Sequence, residues 1–347
     1  FLSNRVALFG MLFKVLLLTS YLVTVFGISN FPLLLVISFD GFTHTYFDLV
    51  PTPNFRKFAQ SGVFVPEMQN VFVTQTFPNH YSMATGRYVE DHGVLAYRLF
   101  DPILDKVLSF SSPEYFNYDS TVMPLWTLNE MQEDHHSGAM MWIGGEHTIN
   151  GVKITYRQKF DPSINFTDRL DTVLGWFQDP EKPANVVFLY YDEPDRTGHY
   201  FGPKSDEIKA EVSRIDEFVG YLMASVQNSS LSGRLNIVLT TDHGMAEIHP
   251  EKMINQTELI DESKVEFYGS SPLLEIRVKS EDNVQHIYEE LKSKEEGRHY
   301  ITYMKDDIPI KYHFSHNIRV PHIIVLAEDG YVFTHDGFGK GAHGYDN

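Results

Sequence analysis

Leu33-Leu34-Leu35-Val36-Ile37-Ser38-Phe39 is an apolar run broken by a single hydroxyl, and it stops at the turn signal Asp40-Gly41. A strand with one wet face alternates apolar and polar residues, so an unbroken run of this length fits a strand covered on both faces. The pattern recurs. Asn185 to Tyr191 and Leu235 to Thr240 are apolar runs that each end in a polar cluster, and Leu273 to Val278 and His322 to Ala327 continue the series. Helical periods fall between them, at Pro53 to Ser61, Asp206 to Gln227 and Ser280 to Lys294. This alternation implies an α/β fold with a mostly parallel central sheet and helices on both faces. In such sheets, ligands gather beyond the carboxyl ends of the strands.

That architecture needs a large core, and 347 residues at 43% hydrophobic and 14% aromatic supply it, which excludes a disordered or fibrous chain. The balance of 28 Lys and Arg against 46 Asp and Glu gives a formal charge of −18. Such a chain repels a phosphate polymer, so recognition of nucleic acid through a basic patch is not expected. A small phosphorylated substrate is compatible if metal ions supply positive charge locally. Because the chain has no Cys, thiolate catalysis, Cys-ligated zinc and internal disulfides are excluded.

Met11 to Gly27 has a lysine at Lys14, an apolar stretch from Val15 to Phe26 and turn-forming residues after it. That is the anatomy of a signal peptide, and the run is short beside the roughly 20 apolar residues of a membrane span. Residues 1–28 are read as signal peptide and upstream fragment, and residues 29–347 as one catalytic domain truncated at its C-terminus. The sequons at Asn165, Asn228 and Asn255 agree with a secreted or cell-surface glycoprotein on the extracellular side of the plasma membrane. Membrane attachment would come through the signal segment or through an anchor beyond Asn347.

The strand ends carry hard ligands. Asp40 follows the first strand, and Asp242-His243-Gly244 follows the third. Asp195 and His199 stand four residues apart, a spacing that lets both reach one ion from a helix or tight turn. His343 lies in Gly341-Ala342-His343-Gly344, where glycines allow a loop to approach closely. Carboxylates with imidazoles and no thiol suit zinc or another borderline divalent metal. Each piece is common by chance, and their shared position at strand ends is what carries weight. The nucleophile candidate lies in Thr74-Gln75-Thr76-Phe77-Pro78-Asn79-His80. Pro78 suits the first turn of a helix, which puts Thr76 near a helix N-terminus, where the dipole favours anions. A threonine hydroxyl needs a base or a metal to become a nucleophile. The plainer alternative is that Thr74 or Thr76 is only the helix cap.

Five ordered motifs, LLLVISFDGF, TQTFPNHYSMATG, YYDEPDRTGHYFGP, TTDHGM and GAHGYDN, resemble the ectonucleotide pyrophosphatase/phosphodiesterases of the alkaline-phosphatase superfamily, over about Leu33 to Asn347. The closest resemblance is to the short type I membrane-anchored members. It implies an alkaline-phosphatase-like fold and two zinc ions. One would be held by Asp195, His199 and His343, the other by Asp40, Asp242, His243 and the nucleophile Thr76. Thr76 would attack phosphorus and form a phospho- or nucleotidyl-threonine, which water then releases. The implied activity is extracellular hydrolysis of nucleotide phosphodiester or pyrophosphate bonds. By the same resemblance, Phe77 and Tyr190 would form the two walls of a base slot, with Phe160 near the same pocket.

The chain departs from the family pattern at two positions. Gln75 stands where relatives usually have Lys, and Tyr97 where they usually have an Asn that donates to a phosphoryl oxygen. Losing one such donor costs about 10²–10³ in turnover. Tyr97 is therefore expected to contact substrate and to alter rate or choice. Two alternatives accompany the main reading: a choline or lysophospholipid phosphodiesterase of the same family, and a catalytically weakened ectodomain that acts as a binding module.

Overall fold

The computed structural model describes residues 27–334 and 339–346. The expected signal segment falls outside these residues except for its last positions. Among the described residues no helix is long and apolar enough to cross a membrane.

Five parallel strands form the central sheet: β1 (Leu33–Phe39), β2 (Ser137–Met140), β3 (Tyr156–Gln158), β4 (Val186–Tyr191) and β5 (Leu235–Thr240), in the spatial order β3-β2-β4-β1-β5. The most apolar run thus sits between two others. Leu33, Leu35, Ile37 and Phe39 are at most 2% exposed. The register places Phe39 opposite Tyr191 and Ser38 opposite Thr240. Three strands therefore end at one level, and the loops that begin at Asp40, Asp192 and Thr241 leave the sheet side by side.

Helices α1 (Pro53–Gln60), α2 (Thr76–Thr85), α3 (Phe166–Phe177), α4 (Asp195–Phe201) and α5 (Asp206–Gln227) accompany the sheet. Phe39 packs on Phe55 of α1, Phe166 of α3 and Phe218 of α5. Its neighbour Ser38 points the other way, as successive strand residues must, and meets His80 of α2 at 2.9 Å. Helices thus cover both faces. The longest, α5, starts at Ser205, whose hydroxyl accepts from the Ile208 amide at 3.2 Å. Ile208, Val212, Ile215, Val219 and Leu222 recur every three or four residues and are buried.

The late apolar runs lie elsewhere than the alternation suggests. β6 (Val265–Tyr268), β7 (Leu273–Val278), β8 (Tyr300–Met304) and β9 (Ile323–Ala327) form a separate antiparallel sheet in the order β6-β7-β9-β8. Helix α6 (Val284–Ser293) covers one face, with Ile287 and Leu291 clustered with Leu274, Ile276 and Val325. Leu273, Ile324 and Leu326 on the other face join the main core. Both faces are covered, so Ile323–Ala327 reads as a continuous apolar run although it is antiparallel to its neighbours. After this sheet the chain returns to the centre, where Gly341–Ala342 pairs antiparallel with Ala246–Glu247.

Candidate active site and metal cluster

Helix α2 begins at Thr76, and its N-cap is Gln75, with no side-chain capping bond. Neither threonine is the cap. Thr74 instead pins the end of the chain, since its hydroxyl donates to the Tyr345 carbonyl at 3.0 Å and accepts from the Gly344 amide at 2.9 Å. The loop before α2 is fixed by one side chain. The Asn79 amide donates to the carbonyls of Val71, Val73 and Gln75 at 3.3, 2.9 and 3.1 Å, and its oxygen accepts from the Val71 amide at 3.0 Å. Thr76 is 3% exposed, and its Oγ1 lies 3.2 Å from His243 Nε2 and 3.1 Å from the donating Tyr97 hydroxyl.

The strand-end residues converge there. His243 Nε2 is 3.2 Å from Asp40 Oδ1 and 3.1 Å from Asp242 Oδ2. Helix α4 carries Asp195 in its first turn and His199 one turn later, and His199 Nε2 is 3.4 Å from Asp195 Oδ1. His343 Nε2 is 3.3 Å from the same oxygen and 3.1 Å from His199 Nε2. The His243 and His343 rings stack at 3.5 Å and join the two halves. Ligand atoms of Asp195, His199 and His343 lie within 4.8 Å of one another, as do those of Asp40, Asp195 and His243, so Asp195 reaches both groups.

The donor set fits divalent metal. Nδ1 of His199, His243 and His343 lies 2.8, 2.9 and 2.9 Å from the carbonyl oxygens of Gly341, Gly244 and Thr74. A carbonyl only accepts, so each Nδ1 carries the proton and each Nε2 faces the cluster, the usual orientation of a metal-ligating imidazole. Asp40 Oδ1, Asp195 Oδ1 and Asp242 Oδ2 are buried and have no hydrogen-bond donor. Lone pairs that face one another across about 3 Å repel unless a proton or a cation lies among them.

The electrostatics agree. Burial, then the charges of Asp242 and Asp195, push Asp40 up to about 7. Burial disfavours the His243 imidazolium, yet Asp242 and Asp40 push it up to about 10. Burial also opposes ionisation of Asp242, but His243, His80 and the Gly41 amide outweigh it and hold the carboxyl low. A divalent ion entering this cluster would displace the protons it otherwise holds.

Sequence reading missed the supports. His80 is fully buried beneath Thr76: its Nδ1 lies 2.8 Å from the Thr76 carbonyl and 3.3 Å from Asp242 Oδ2. The Asn70 amide donates to the Asp242 carbonyl. Only the fold brings these together, although His80 sits in the nucleophile motif itself.

On the substrate side, the Phe77 ring lies 4.6 Å from Tyr97 and 5.5 Å from Phe110, an aromatic that no sequence motif marks. Tyr97 is 36% exposed, but its hydroxyl end is buried at Thr76. That burial, with the charges of Asp40 and Asp195, raises the phenol so that it stays a donor. Tyr190 is 8% exposed and donates its hydroxyl to Asp40 Oδ2. Phe160 is exposed and lies 6.2 Å from Tyr190. Thus Phe77 and Tyr97 are neighbours, and Phe160 and Tyr190 form a second pair. Asn165, Asn228 and Asn255 are all exposed.

Comparison with known proteins agrees with this geometry. The family described as type I phosphodiesterase / nucleotide pyrophosphatase matches residues 34–346. A human bis(5′-adenosyl)-triphosphatase is 34% identical over 340 residues, which cover 96% of this chain and 74% of that protein. Human ectonucleotide pyrophosphatase/phosphodiesterase family member 5 is 36% identical over 320 residues, 90% of this chain and 66% of that one. The solved structure of murine ectonucleotide pyrophosphatase/phosphodiesterase 5 shares the fold with a TM-score of 0.84 at 35% identity, covering 91% of this chain and 84% of that chain. It has also been solved as an inactive threonine-to-alanine variant in complex with AMP. With its alkaline-phosphatase-like sheet and its converging Asp and His side chains, this chain belongs to the type I phosphodiesterase / nucleotide pyrophosphatase family of hydrolases.

Proposed function

We propose that residues 29–347 form a two-zinc catalytic domain that hydrolyses nucleotide phosphodiester or pyrophosphate bonds outside the cell. The observation that carries this reading is the Thr76 hydroxyl, buried at a helix N-terminus and 3.2 Å from His243 Nε2 at the edge of the Asp/His cluster. Asp195, His199 and His343 would hold one ion, and Asp40, Asp242 and His243 with Thr76 the other. Bound divalent ions supply Lewis acidity, which lowers the pKa of hydroxyl or water and neutralises phosphoryl charge.

Thr76 Oγ1 releases its proton to solvent water, attacks phosphorus and forms the new P–O bond, while the leaving oxygen departs with its bonding electrons and takes up a proton from solvent where its pKa requires one. Water then cleaves the phosphothreonine bond and restores the hydroxyl. The amides of the first turn of α2 present the positive end of the helix dipole to the phosphoryl oxygens. A phosphoryl oxygen beside Thr76 comes within reach of the Tyr97 hydroxyl, which then donates to it in place of Thr76. Phe77, with Tyr97 and Phe110 around it, offers a flat apolar platform for a base, and the exposed Phe160, backed by the buried Tyr190, offers a second. Stacking of this kind contributes about 1–3 kcal/mol per base. The relatives named above, one a bis(5′-adenosyl)-triphosphatase and one solved with AMP, support nucleotides as the substrate class. The exposed sequons at Asn165, Asn228 and Asn255 support a glycosylated extracellular domain.

A phosphodiester panel tests this. Cleavage of p-nitrophenyl-TMP is expected, with loss on chelation, recovery with zinc, and a loss of about 10³-fold or more in Thr76→Ala. Preference for p-nitrophenyl-phosphocholine would move the activity to lipid headgroups. Stoichiometric zinc without turnover of any phosphodiester would leave a binding module.

A further inference from the structure

Two restraints meet at Gln75, the residue before the nucleophile. The first comes from within α2. The Asn79 backbone amide donates to the Gln75 carbonyl at 3.2 Å, and the Asn79 side-chain amide donates to it at 3.1 Å. The second runs the other way. The Gln75 side chain is 1% exposed and reaches away from α2, and its Nε2 donates to the Ser270 carbonyl at 3.1 Å and to the Ser270 hydroxyl at 3.0 Å. A carbonyl only accepts, so the amide nitrogen must face Ser270.

Ser270 lies in the loop between β6 and β7, in the antiparallel sheet, and this anchor is itself held. Its carbonyl also accepts from the Leu273 amide at 3.1 Å, and the Ser271 hydroxyl accepts from the Phe333 amide at 2.8 Å. A Cβ at Gly344 would stand 3.3 Å from Gln75 Nε2, so the segment that carries His343 passes directly against the tether.

Stability does not explain this arrangement. Gln75 Oε1 is buried and has no donor, and a buried acceptor left unpaired destabilises a fold. An unbranched apolar side chain such as Met would fill nearly the same space without that penalty, and the Ser270 carbonyl would keep its bond to Leu273. What the amide adds is direction. Gln75 is the extended residue before the helix, with φ −121° and ψ 157°, and Thr76 is the first helical one. With the Gln75 carbonyl held by Asn79 and its side chain by Ser270, the turn into the helix has little room to swing. Phosphoryl transfer needs the attacking and leaving oxygens roughly in line, and a misplacement of about 1 Å costs about 10²-fold in rate.

We infer that Gln75 is a positioning residue, which aims Thr76 Oγ1 by tethering the nucleophile loop to Ser270. This rests on the phosphodiesterase reading and deepens it, because it adds the antiparallel sheet to the groups that set the geometry of attack.

Turnover of p-nitrophenyl-TMP at saturating zinc tests the tether in Gln75→Met, Ser270→Ala and the double variant. Gln75→Met should lower kcat about tenfold or more while KM changes less than about threefold. Its zinc affinity should stay within about threefold of wild type, and its Tm should not fall, since the unpaired acceptor is gone. Ser270→Ala, which keeps the carbonyl half of the tether, should lower kcat about threefold and cost nothing further in the Gln75→Met background. Wild-type kcat in Gln75→Met, or a loss that tracks a fall in Tm or zinc affinity, would overturn the assignment and leave the phosphodiesterase reading standing. So would losses that multiply in the double variant, because Ser270 would then act by another route. If Gln75→Met does not fold, Ser270→Ala decides alone: an unchanged kcat overturns the tether, and a fall in kcat at unchanged KM supports it. Absence of turnover in the wild-type protein would bring down both readings.

Discussion

Two carboxyls, Asp40 and Glu275, are alike in depth of burial and differ in what surrounds them. Asp40 follows β1, is 2% exposed and has one oxygen without a donor. Glu275 lies in β7, is 1% exposed, and neither of its oxygens has a donor. Both are pushed up, Asp40 to about 7 and Glu275 to about 8. For Glu275 burial alone is the cause, whereas Asp40 also feels Asp242 and Asp195 and has His243 at 3.2 Å. A displaced pKa therefore does not distinguish a site from a tolerated burden in the core. What distinguishes them is convergence: around Asp40, acceptors from the loops after β1 and β5, from helix α4 and from the segment at His343 face one another, and around Glu275 they do not.

The sharpest way to break this comparison is to neutralise each carboxyl and count metal. Removing even a partner of a metal ligand costs about 10–100-fold in affinity, so Asp40→Asn should lower zinc affinity at least about 100-fold. Glu275→Gln should leave zinc content unchanged; metal loss in that variant would erase the distinction. A smaller effect separates the two by pH. A divalent ion bound there would displace the protons held by Asp40 and His243, so its affinity should rise with pH, more steeply below about 7 than between 7 and 10. Proton release measured by calorimetry in buffers of different ionisation enthalpy checks this, and the Glu275→Gln profile should superpose on wild type. The smallest effect belongs to Glu275 itself. Its folded pKa lies above the unfolded value, so its contribution to stability is complete below about 4.5 and is lost as pH rises through about 8. Glu275→Gln should raise Tm by about 5 °C or more at pH 9 and change it little at pH 5, and thermal melts at the two values measure the difference.

Much of the central layer was legible because its signals are local. Asp206 to Gln227 forms a helix over those residues, and Leu235 to Thr240 a strand. Asp40, Asp195 and Asp242 could be placed at strand ends because each follows an apolar run or lies just past one. Strand direction was not legible: Ile323–Ala327 is as apolar as a parallel strand, although it pairs antiparallel with both of its neighbours. Ser137–Met140, with sequence SGAM, carries no strand signal and owes its conformation to pairing with β4. The supports of the site, His80 against Asp242 and Asn79 around residues 71–75, were hidden for a different reason. Nothing in a linear pattern says which buried amide or imidazole will bracket a distant loop.

The return of the chain to the cluster at Gly341–Ala342 has a consequence for the lifetime of the protein. The strand pairing there involves two residues on each side. Beyond that pairing, Ala342 and Tyr345 are buried with Ile248 and Val332, and His343 Nδ1 lies 2.9 Å from the Thr74 carbonyl, 269 positions away. An ion shared by His199 and His343 would tether residues 144 positions apart, a reversible latch added to the packing of Ala342 and Tyr345. Zinc starvation should then show first as protease nicking near residues 339–346, before the central sheet melts.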